Sequence, residues 1–347
     1  MKIWPSSWLR IVGATAIIAS GLCCQAGASS TDGAHKPFIL GYSAGFLTDP
    51  FQALLVNFMM QSAKVAGIKT LPLTNANGDA GKQIADVHNL ISEGAQGLIV
   101  VPTDSEAIIP AVKFAAKRKV PVVAIDTGPS GGKVAMIVRA DNYRMAAEDC
   151  ELLGKALGGR GSVLLLMGDQ ASLNGRDRAN GFRDCVKKDF GAIKINAQPM
   201  YWKSDKCTSA AQTVVSTTPG LGAIYMSSDV VCLAGVLNVL KSAGKLKKAG
   251  VPGHIYLYGI DGSPFALTKI REGWVDATVS QPLELYVKYG LQYLQAAVDG
   301  KTFSAGPTDH DSHIVDFNGN LMDLLPATVV TKGNVDSKSL WGNEVKE

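Results

Sequence analysis

Short apolar segments alternate with longer amphipathic segments along almost the whole chain, and no other feature constrains the fold as strongly. The short segments have the length and the aliphatic composition of buried strands, whereas the longer ones repeat apolar residues at helical spacing. Helical patterns begin after turn or capping groups such as Asn77-Gly78-Asp79. A strict alternation of strands and helices predicts parallel sheets that are covered by helices on both faces.

The alternation divides into two units of similar size. The predicted strands are Phe38–Tyr42, Lys69–Leu73, Gly97–Val101, Val120–Ile125, Val134–Val138, Ser162–Met167, Ile193–Tyr201, Ala223–Met226, Ile255–Ile260 and Ala277–Ser280. The predicted helices are Phe51–Ala66, Lys82–Glu93, Glu106–Lys117, Tyr143–Ala156, Arg178–Lys188, Thr208–Ser216, Val230–Ala243, Pro264–Glu272 and Leu283–Val298. We therefore predict an α/β protein with two doubly wound, parallel-sheet domains.

Length, charge and hydropathy exclude several classes of protein. At 347 residues the chain exceeds the ~250–300 residues at which single cores stop growing, which indicates about two domains. The formal net charge of +4 is too close to neutral for a protein whose main task is binding nucleic acid phosphates. No stretch after the first 28 residues approaches the ~18 apolar residues of a membrane-spanning helix, which excludes a multi-pass membrane protein.

The first 28 residues have the pattern of a cleaved signal peptide. Lys2 and Arg10 supply positive charge, Ile11–Leu22 is apolar, and Ala26-Gly27-Ala28 provides small residues for cleavage. The alternative is a lipoprotein signal at one of two adjacent cysteines, but a leucine precedes Cys23 where a small residue is expected. We therefore expect export through a cleaved signal peptide, without a lipid anchor.

Four cysteines remain after this leader, all between positions 150 and 232. Export places them in an oxidising compartment, where two disulfides within one domain are expected. Four cysteines allow three pairings, and four buried free thiols are the alternative. No pair of these cysteines has the CxxC spacing of a zinc or thiol-redox site.

Polar residues follow the predicted strands, where ligands bind in open α/β sheets. The segments concerned are Ser43–Gln52, Thr103-Asp104, Asp126-Thr127, Asp169–Arg176, Trp202, Ser227–Asp229, Asp261 and Gln281. They combine carboxylate, amide and hydroxyl groups with the aromatic side chains Phe51 and Trp202. A neutral sugar requires this combination, because its C–H face packs on aromatic rings while its hydroxyls both donate and accept hydrogen bonds.

Eight ordered motifs carry a resemblance to a known family. They are Asp49-Pro50-Phe51, Val100-Val101-Pro102-Thr103-Asp104-Ser105, Val120-Pro121-Val122-Val123-Ala124-Ile125-Asp126, Ala140-Asp141-Asn142, Gly175-Arg176-Asp177-Arg178-Ala179-Asn180-Gly181-Phe182, Ser228-Asp229, Tyr258-Gly259-Ile260-Asp261-Gly262 and Ala277-Thr278-Val279-Ser280-Gln281-Pro282. From Lys36 to about Asn343, the chain resembles periplasmic sugar-binding proteins of the ribose-binding type, which serve ABC importers.

The resemblance implies the type I periplasmic binding protein fold, in which two lobes are joined by three crossing segments. By this pattern the N-terminal lobe comprises residues 36–139 plus 282–324, and the C-terminal lobe comprises 140–281 plus 325–347. With the strand order 2-1-3-4-5, the helices that hold Cys150 and Cys185 lie on one face of the second sheet. The helices with Cys207 and Cys232 lie on the other, so the favoured disulfides are Cys150–Cys185 and Cys207–Cys232.

The resemblance also implies a set of ligand contacts. The family's positions correspond here to Asp49, Phe51, Asp126, Arg176, Trp202, Ser228, Asp261 and Gln281. The chain departs from the pattern at Gln52, where relatives have a second aromatic residue, and at Thr127, where they often have arginine. We include both positions in the predicted site. These departures favour a pentose other than ribose, a hexose or a polyol as the ligand.

We therefore expect a periplasmic receptor that delivers a sugar or polyol to an ABC permease. It is expected to be a monomer and to need no cofactor, metal or nucleic acid. A sensor that serves a chemoreceptor or kinase is an alternative, because both functions use the same closed form. An enzyme that uses Asp126 and Asp261 as a hydrolytic pair is less favoured, because nothing singles these carboxylates out as an acid–base pair. The tightly spaced segment His310-Asp311-Ser312-His313 is interpreted as a polar loop and not as a metal site.

Overall fold

The structure, a computed structural model, describes residues 36–345. The predicted signal peptide, residues 1–28, lies outside the described residues. Within them, no helix combines the length and the apolar character that crossing a membrane requires.

Strands and helices alternate through most of the described chain. The strands are β1 Ile39–Ala44, β2 Lys69–Thr70, β3 Thr74–Asn75, β4 Gly97–Val100, β5 Val122–Ile125, β6 Met136–Ala140, β7 Arg160–Met167, β8 Ala192–Pro199, β9 Leu221–Met226, β10 Tyr256–Asp261, β11 Ala277–Ser280, β12 Gly306–Pro307, β13 His313–Phe317, β14 Asn320–Leu325 and β15 Thr328–Val330. The helices are α1 Pro50–Val65, α2 Ala80–Ser92, α3 Ile109–Lys117, α4 Asn142–Ala156, α5 Leu173–Asp189, α6 Ser204–Thr217, α7 Asp229–Ser242, α8 Pro264–Glu272, α9 Leu283–Val298 and α10 Trp341–Glu344.

The strands form two sheets, as the alternation predicts. The first sheet has the order β12-β13-β14-β6-β5-β4-β1-β2, with β3 also paired to β1, and the second has the order β15-β11-β10-β9-β7-β8. The predicted order 2-1-3-4-5 is therefore confirmed for the parallel strands of the second sheet. The chain passes between the sheets three times, after β6, β11 and β14. The residue boundaries given above for the two lobes stay predictions.

The predicted parallel pairing is confirmed for the central strands, and antiparallel strands are added at the sheet edges. Strand β13 runs antiparallel to β14, and β15 runs antiparallel to β11. The β13–β14 hairpin turns at Asn318-Gly319, where both residues have a positive φ of 53° and 78°. Asn-Gly is the residue pair that such a tight hairpin turn requires, so the sequence contained a signal that periodicity alone missed.

Several element boundaries also differ from the prediction, three of them as follows. The expected strand at 69–73 divides into β2 and β3 around Pro72, which has no N–H to donate to a ladder. Helix α3 begins three residues later than expected, at Ile109. Helix α5 begins five residues earlier, because Ser172 caps it by accepting a hydrogen bond from the N–H of Gly175.

Each sheet is buried between helices. Leu40 and Val123 in the first sheet, and Leu165 and Ile224 in the second, have no exposed surface. Burying one such side chain contributes roughly 1.5–3 kcal/mol, so these central strands anchor their sheets. Helix α9 follows the second sheet in sequence but packs on β4, β5 and β6 of the first.

Two disulfides join helices beside the second sheet. Cys150 of α4 is bonded to Cys185 of α5, with Cα atoms 6.3 Å apart. Cys207 of α6 is bonded to Cys232 of α7, with Cα atoms 5.2 Å apart. These are the two pairs that the topology favoured.

Candidate ligand-binding site

A pocket lies where the carboxyl ends of strands from both sheets meet. It is lined by Phe46, Asp49, Phe51, Gln52, Pro102, Thr103, Asp126, Thr127, Ser172, Asn174, Arg178, Trp202, Ser228, Asp261 and Gln281. The structure thus brings together every residue of the predicted site except Arg176. The cavity between these side chains is about 30 Å³, well below the ~300–1,000 Å³ that is usual for small-molecule sites, so the side chains nearly fill the space in this structure.

Two carboxylates reach the pocket from the ends of central strands. Asp126 directly follows β5 of the first sheet, and Asp261 ends β10 of the second. Both have a positive φ, 64° and 131° respectively, which non-glycine residues rarely adopt. Such strained positions cost of order 1–3 kcal/mol and persist where the surrounding structure fixes them, which is typical of functional sites.

The arginine of the site is Arg178, and the assignment of Arg176 is corrected. The Arg176 guanidinium donates to the carbonyl oxygens of Gln170 and Ala171 and to Ser130 Oγ, outside the pocket. Arg178 lies two residues further along α5, about 200° around the helix, and is buried in the pocket wall. Arg176 was assigned by the family resemblance, and the predicted helix start at residue 178 did not indicate which of the two arginines faces the pocket.

Arg178 is held by three groups of the second sheet's side. Its Nε donates to Asn142 Oδ1 over 2.6 Å, and its Nη1 donates to the Ser227 carbonyl oxygen over 2.6 Å. Nη1 also lies 3.5 Å from Asp261 Oδ1. The guanidinium carbon stands 5.6 Å from the ring centroid of Trp202, a cation–π distance. Arg178 is therefore fixed in position without any ligand.

The polar residues around Asp261 satisfy one another. Ser228 Oγ donates to Asp261 Oδ2 over 2.5 Å, and Gln281 Nε2 donates to Asp261 Oδ1 over 2.7 Å. Ser228 also caps α7 by accepting from the N–H of Val231. Trp341 Nε1 donates to the Asp261 carbonyl oxygen over 2.8 Å. This half of the pocket is preorganised by direct hydrogen bonds.

The half contributed by the first sheet carries polar atoms that the protein leaves unsatisfied. Gln52 Oε1 and Thr127 Oγ1 are buried and have no hydrogen-bond partner within residues 36–345. Asp126 Oδ1 accepts from Asn174 Nδ2 over 3.1 Å, and Asp49 caps α1 by accepting from the N–H of Phe51. Buried polar groups are rarely left without partners, and these two atoms are able to form hydrogen bonds with a molecule in the pocket.

The pocket raises the pKa values of its carboxyl groups. Burial, with a contribution from the charge of Asp261, raises the pKa of Asp49 to about 7. Burial raises the pKa of Asp126 to about 6, although the positive charge of Arg178 opposes the rise. Burial likewise raises the pKa of Asp261, against the same arginine and the hydrogen bonds from Ser228 and Gln281. When such a buried carboxyl group is ionised, it accepts strong, charge-assisted hydrogen bonds from hydroxyl donors.

Two aromatic side chains of the predicted site, Phe51 and Trp202, line the pocket. Phe51 lies in the first turn of α1, and its ring meets the edges of Tyr286 and Trp341 at centroid distances of 6.5 and 5.7 Å. Trp202, at φ 55°, lies against Gly168, where a Cβ atom would stand 2.1 Å from its ring carbon Cη2. Only glycine at position 168 leaves room for the indole.

Several contributors to the site are not among the predicted site residues. Asn174 precedes the predicted start of its helix and joins Asp126 to Arg139, whose Nη2 donates to Asn174 Oδ1 over 2.8 Å. Trp341 and Tyr286 lie in elements that the strand-end rule does not inspect. Recognising Ser172 as a helix cap would have placed both Asn174 and Arg178 in the first two turns of α5.

The described residues contain no cluster of three or more histidine, cysteine or acidic side chains that could hold a metal ion. His310, in the segment interpreted as a polar loop, stacks on Tyr289 with ring centroids 3.7 Å apart. Its Nε2 lies 3.0 Å from Asp323 Oδ2, so its ring contacts are with the protein.

Comparison with known proteins identifies related sequences. The family model described as a periplasmic binding protein domain matches residues 40–302. The ribose import binding protein of Bacillus subtilis is 30% identical over 272 residues, which cover 78% of this chain and 85% of the relative. The xylitol-binding protein of Mycolicibacterium smegmatis is 27% identical over 264 residues, covering 76% of this chain and 68% of the relative.

Solved structures share the fold. A Caulobacter myo-inositol binding protein, bound to myo-inositol, superposes with a TM-score of 0.74 at 22% identity, covering 90% of this chain and 98% of that one. The binding component of the arabinose ABC transporter from Shewanella, bound to arabinofuranose, gives a TM-score of 0.76 at 18% identity, with coverages of 88% and 96%. At these identities the likeness concerns the fold alone.

Proposed function

Because this chain belongs to the periplasmic binding protein family, we propose that it is a receptor that captures a sugar or polyol between its two lobes and delivers it to an ABC importer. Relatives that match it over most of their length are import binding proteins for ribose and D-apiose, and another binds xylitol. All three are polyhydroxylated ligands without a phosphate or carboxylate group.

The observation that carries the proposal is the set of unsatisfied polar atoms inside the pocket. Gln52 Oε1 and Thr127 Oγ1 are buried without partners among the described residues, and both line the space between the sheets. Leaving such atoms unpaired costs about 1–3 kcal/mol each. A ligand with several hydroxyls removes that cost, because each hydroxyl both donates and accepts.

The proposed ligand contacts divide between rings and hydrogen-bonding groups. Phe51 and Trp202 provide apolar faces for the C–H surface of the ligand. Asp49 and Asp126 accept hydrogen bonds from the hydroxyl groups of the ligand, and Arg178 donates hydrogen bonds to the ligand's hydroxyl oxygens. Ser228 and Gln281 act through Asp261, which they hold in position by hydrogen bonds. Arg176 is not proposed to contact the ligand.

The first sheet's side of the pocket favours a ligand other than ribose. Gln52 presents an amide where relatives have an aromatic ring, and Thr127 presents a hydroxyl where they often have arginine. The pocket therefore offers an additional hydrogen-bonding edge and one fewer cation than a ribose site. We propose a different pentose, a hexose or a polyol.

Closure of the two lobes is the proposed mechanism. Three crossing segments, after β6, β11 and β14, connect the sheets and allow the lobes to rotate about them. A ligand that touches both halves of the pocket binds the closed form more tightly than the open form and shifts the population toward it. The closed form is then the shape that a permease recognises.

The proposal places the mature protein in the periplasm, after removal of residues 1–28. It acts there as a monomeric binding protein and not as an enzyme, with the permease as its partner. If it also serves a chemoreceptor, the same closed form carries the signal.

A thermal-shift screen of the protein from residue 29 onward tests the proposal. D-Ribose, L-arabinose, D-allose, xylitol and myo-inositol are compared with amino acids as ligands. A ligand at a thousandfold excess over its Kd stabilises the folded protein by ~4 kcal/mol, which raises the melting temperature by several degrees. Asp126→Ala and Trp202→Ala should abolish this shift.

Asp189→Ala is the matched control, because Asp189 is an exposed residue at the end of α5, far from the pocket lining. It should retain the full shift. Protein that shows no shift with any sugar or polyol, and releases no such molecule when it is denatured, would contradict the proposal. Turnover of a chromogenic glycoside would favour the enzyme instead.

A further inference from the structure

The hydroxyl group of Tyr286 joins two of the three crossing segments. Tyr286 lies in α9 and has no exposed surface. Its Oη accepts a hydrogen bond from the N–H of Ala140 over 3.1 Å and donates one to Gln281 Oε1 over 2.9 Å. Ala140 ends β6 where the chain leaves the first sheet, and Gln281 follows β11 where it returns. The side chain of Tyr286 therefore connects the two crossing segments through hydrogen bonds.

The same hydrogen bonds continue into the pocket. Gln281 Nε2 donates to Asp261 Oδ1 over 2.7 Å, and Arg178 Nη1 lies 3.5 Å from that oxygen. Arg178 Nε donates to Asn142 Oδ1 over 2.6 Å. The Asn142 side chain donates in turn to the carbonyl oxygen of Ala140 over 3.0 Å.

These contacts close a ring that begins and ends at Ala140. Its members are Ala140, Tyr286, Gln281, Asp261, Arg178 and Asn142. Every member is buried. Burial also raises the pKa of Tyr286 far above its ordinary value, so its hydroxyl stays protonated and able to donate. If either crossing segment moves while Asp261 and Arg178 stay in place, this ring of hydrogen bonds breaks.

We propose that Tyr286 is a positioning residue that couples the first two crossing segments to the orientation of Asp261 and Arg178, and thereby sets the ligand affinity of the pocket. It does so without touching the ligand, because it is absent from the pocket lining. The inference rests on the proposed function, since it concerns affinity at the same site. It adds a residue that neither the strand-end rule nor the family resemblance indicated.

Tyr286→Phe tests the inference, because it removes one oxygen atom and keeps the ring that packs near Phe51. The N–H of Ala140 and Oε1 of Gln281 each lose their hydrogen bond to the Tyr286 hydroxyl. Gln281 is then free to turn away from Asp261. We expect about a tenfold loss of affinity, which is the effect of one hydrogen bond of ordinary strength.

Tyr42→Phe is the matched control. Tyr42 is a buried tyrosine of β1, and its hydroxyl has no hydrogen-bond partner within residues 36–345. Removing that hydroxyl therefore breaks no hydrogen bond. The control should bind with wild-type affinity, so that a loss in Tyr286→Phe cannot come from deleting any buried phenol.

Two readouts are measured for each variant. Isothermal titration is performed with whichever of D-ribose, L-arabinose, D-allose, xylitol or myo-inositol stabilises the wild-type protein. Amide hydrogen exchange is measured without ligand, and Tyr286→Phe should speed exchange at Ala140 about tenfold relative to Tyr42→Phe. A double variant, Tyr286→Phe with Gln281→Leu, should bind the ligand no more weakly than Gln281→Leu alone. Both changes break the same series of hydrogen bonds between Ala140 and Asp261.

The outcomes separate the inference from the proposed function. Wild-type affinity in Tyr286→Phe, or a loss that adds fully to that of Gln281→Leu, overturns the inference and leaves the receptor function standing. Unchanged exchange at Ala140 in Tyr286→Phe also overturns it, even if no probe binds. A wild-type protein that binds none of the probes counts against the proposed function, while the exchange measurement still decides the role of Tyr286.

Discussion

Two arginines of one helix, separated by a single residue, have different surroundings. Arg178 is buried among Asn142, Ser227 and Asp261, whereas Arg176 reaches Ser130 on the side of the first sheet. The planar guanidinium of Arg178 uses several donors in fixed directions, which an ammonium group cannot reproduce. The two positions therefore differ in their tolerance of lysine.

Arg178→Lys should weaken ligand binding about a hundredfold, because it loses the hydrogen bonds that orient the cation and the stacking on Trp202. Arg176→Lys, the matched substitution two residues away, should weaken binding no more than about threefold. Isothermal titration with the ligand found in the thermal-shift screen measures both effects. A larger loss in Arg176→Lys than in Arg178→Lys would restore the assignment made from the sequence.

Asp49 gives the ligand-free protein a pH-dependent stability. The pKa of this half-buried carboxyl is raised to about 7, so its protonated form is favoured in the folded state. Its contribution to the free energy of unfolding is fully present below pH ~4 and is lost as the pH rises through about 7. Asn in its place also caps a helix but never becomes charged.

Asp49→Asn should therefore melt several degrees above the wild-type protein at pH 8 and close to it at pH 4. Melting temperatures of both proteins without ligand, recorded from pH 4 to pH 8, measure this difference. Asp79→Asn is the matched control, because Asp79 caps α2 at an exposed position. A difference between Asp49→Asn and wild type that is constant across the range would contradict the prediction.

At the scale of elements, the second sheet carries helix pairs that are covalently joined. Helices α4 and α5 are joined through Cys150 and Cys185, and α6 and α7 through Cys207 and Cys232. Each bond closes a short loop, with sequence separations of 35 and 25 residues. In the chain-entropy view such loops stabilise the folded protein by about 3–4 kcal/mol each.

The double variant Cys207→Ser/Cys232→Ser should lose about 3–4 kcal/mol of unfolding free energy, and Cys150→Ser/Cys185→Ser a similar amount. Urea unfolding of the oxidised proteins measures both losses. Reduction of the wild-type protein should produce a loss near the sum of the two. A peptide map of the non-reduced protein that joins a cysteine of one pair to a cysteine of the other would contradict these pairings.

Over the whole molecule, contacts join the two sheets directly beside the pocket. The Ser105 Oγ atom, after β4, accepts from the N–H of Leu173 over 3.0 Å, and the Ser105 N–H donates to the Ala171 carbonyl oxygen over 3.0 Å. Arg176 Nη2 donates to Ser130 Oγ over 3.0 Å, and Asn174 reaches Asp126. These bonds connect the two sides of the pocket to each other.

Ser105→Ala should shift the ligand-free protein toward an open form, because it removes one of these bonds and Ser105 is not itself part of the pocket lining. We expect a larger radius of gyration in X-ray scattering without ligand and severalfold weaker binding, since part of the ligand's binding energy is then used for closure. With saturating ligand the radius should match that of the wild type. Ser337→Ala, at a half-exposed position of the C-terminal segment that does not line the pocket, is the control.

The sequence by itself determined the class of fold and most of the site. Hydrophobic periodicity is a local property, so the alternation of strands and helices was readable, and the strand-end rule then located Asp126 and Asp261. The parallel pairing of the central strands in both sheets follows from that alternation, whereas the strand order was taken from the resemblance. The Asn318-Gly319 hairpin was also readable, because its turn chemistry is local.

Only the tertiary structure decided which face of α5 meets the pocket. That choice depends on the helix start at Leu173 and on contacts of Arg178 with residues 49 and 83 positions away in the chain. The ring through Tyr286 likewise joins groups up to 146 residues apart. Such contacts form only when the sheets come together, and no local pattern encodes them, because one helical residue more or less turns a side chain by about 100°.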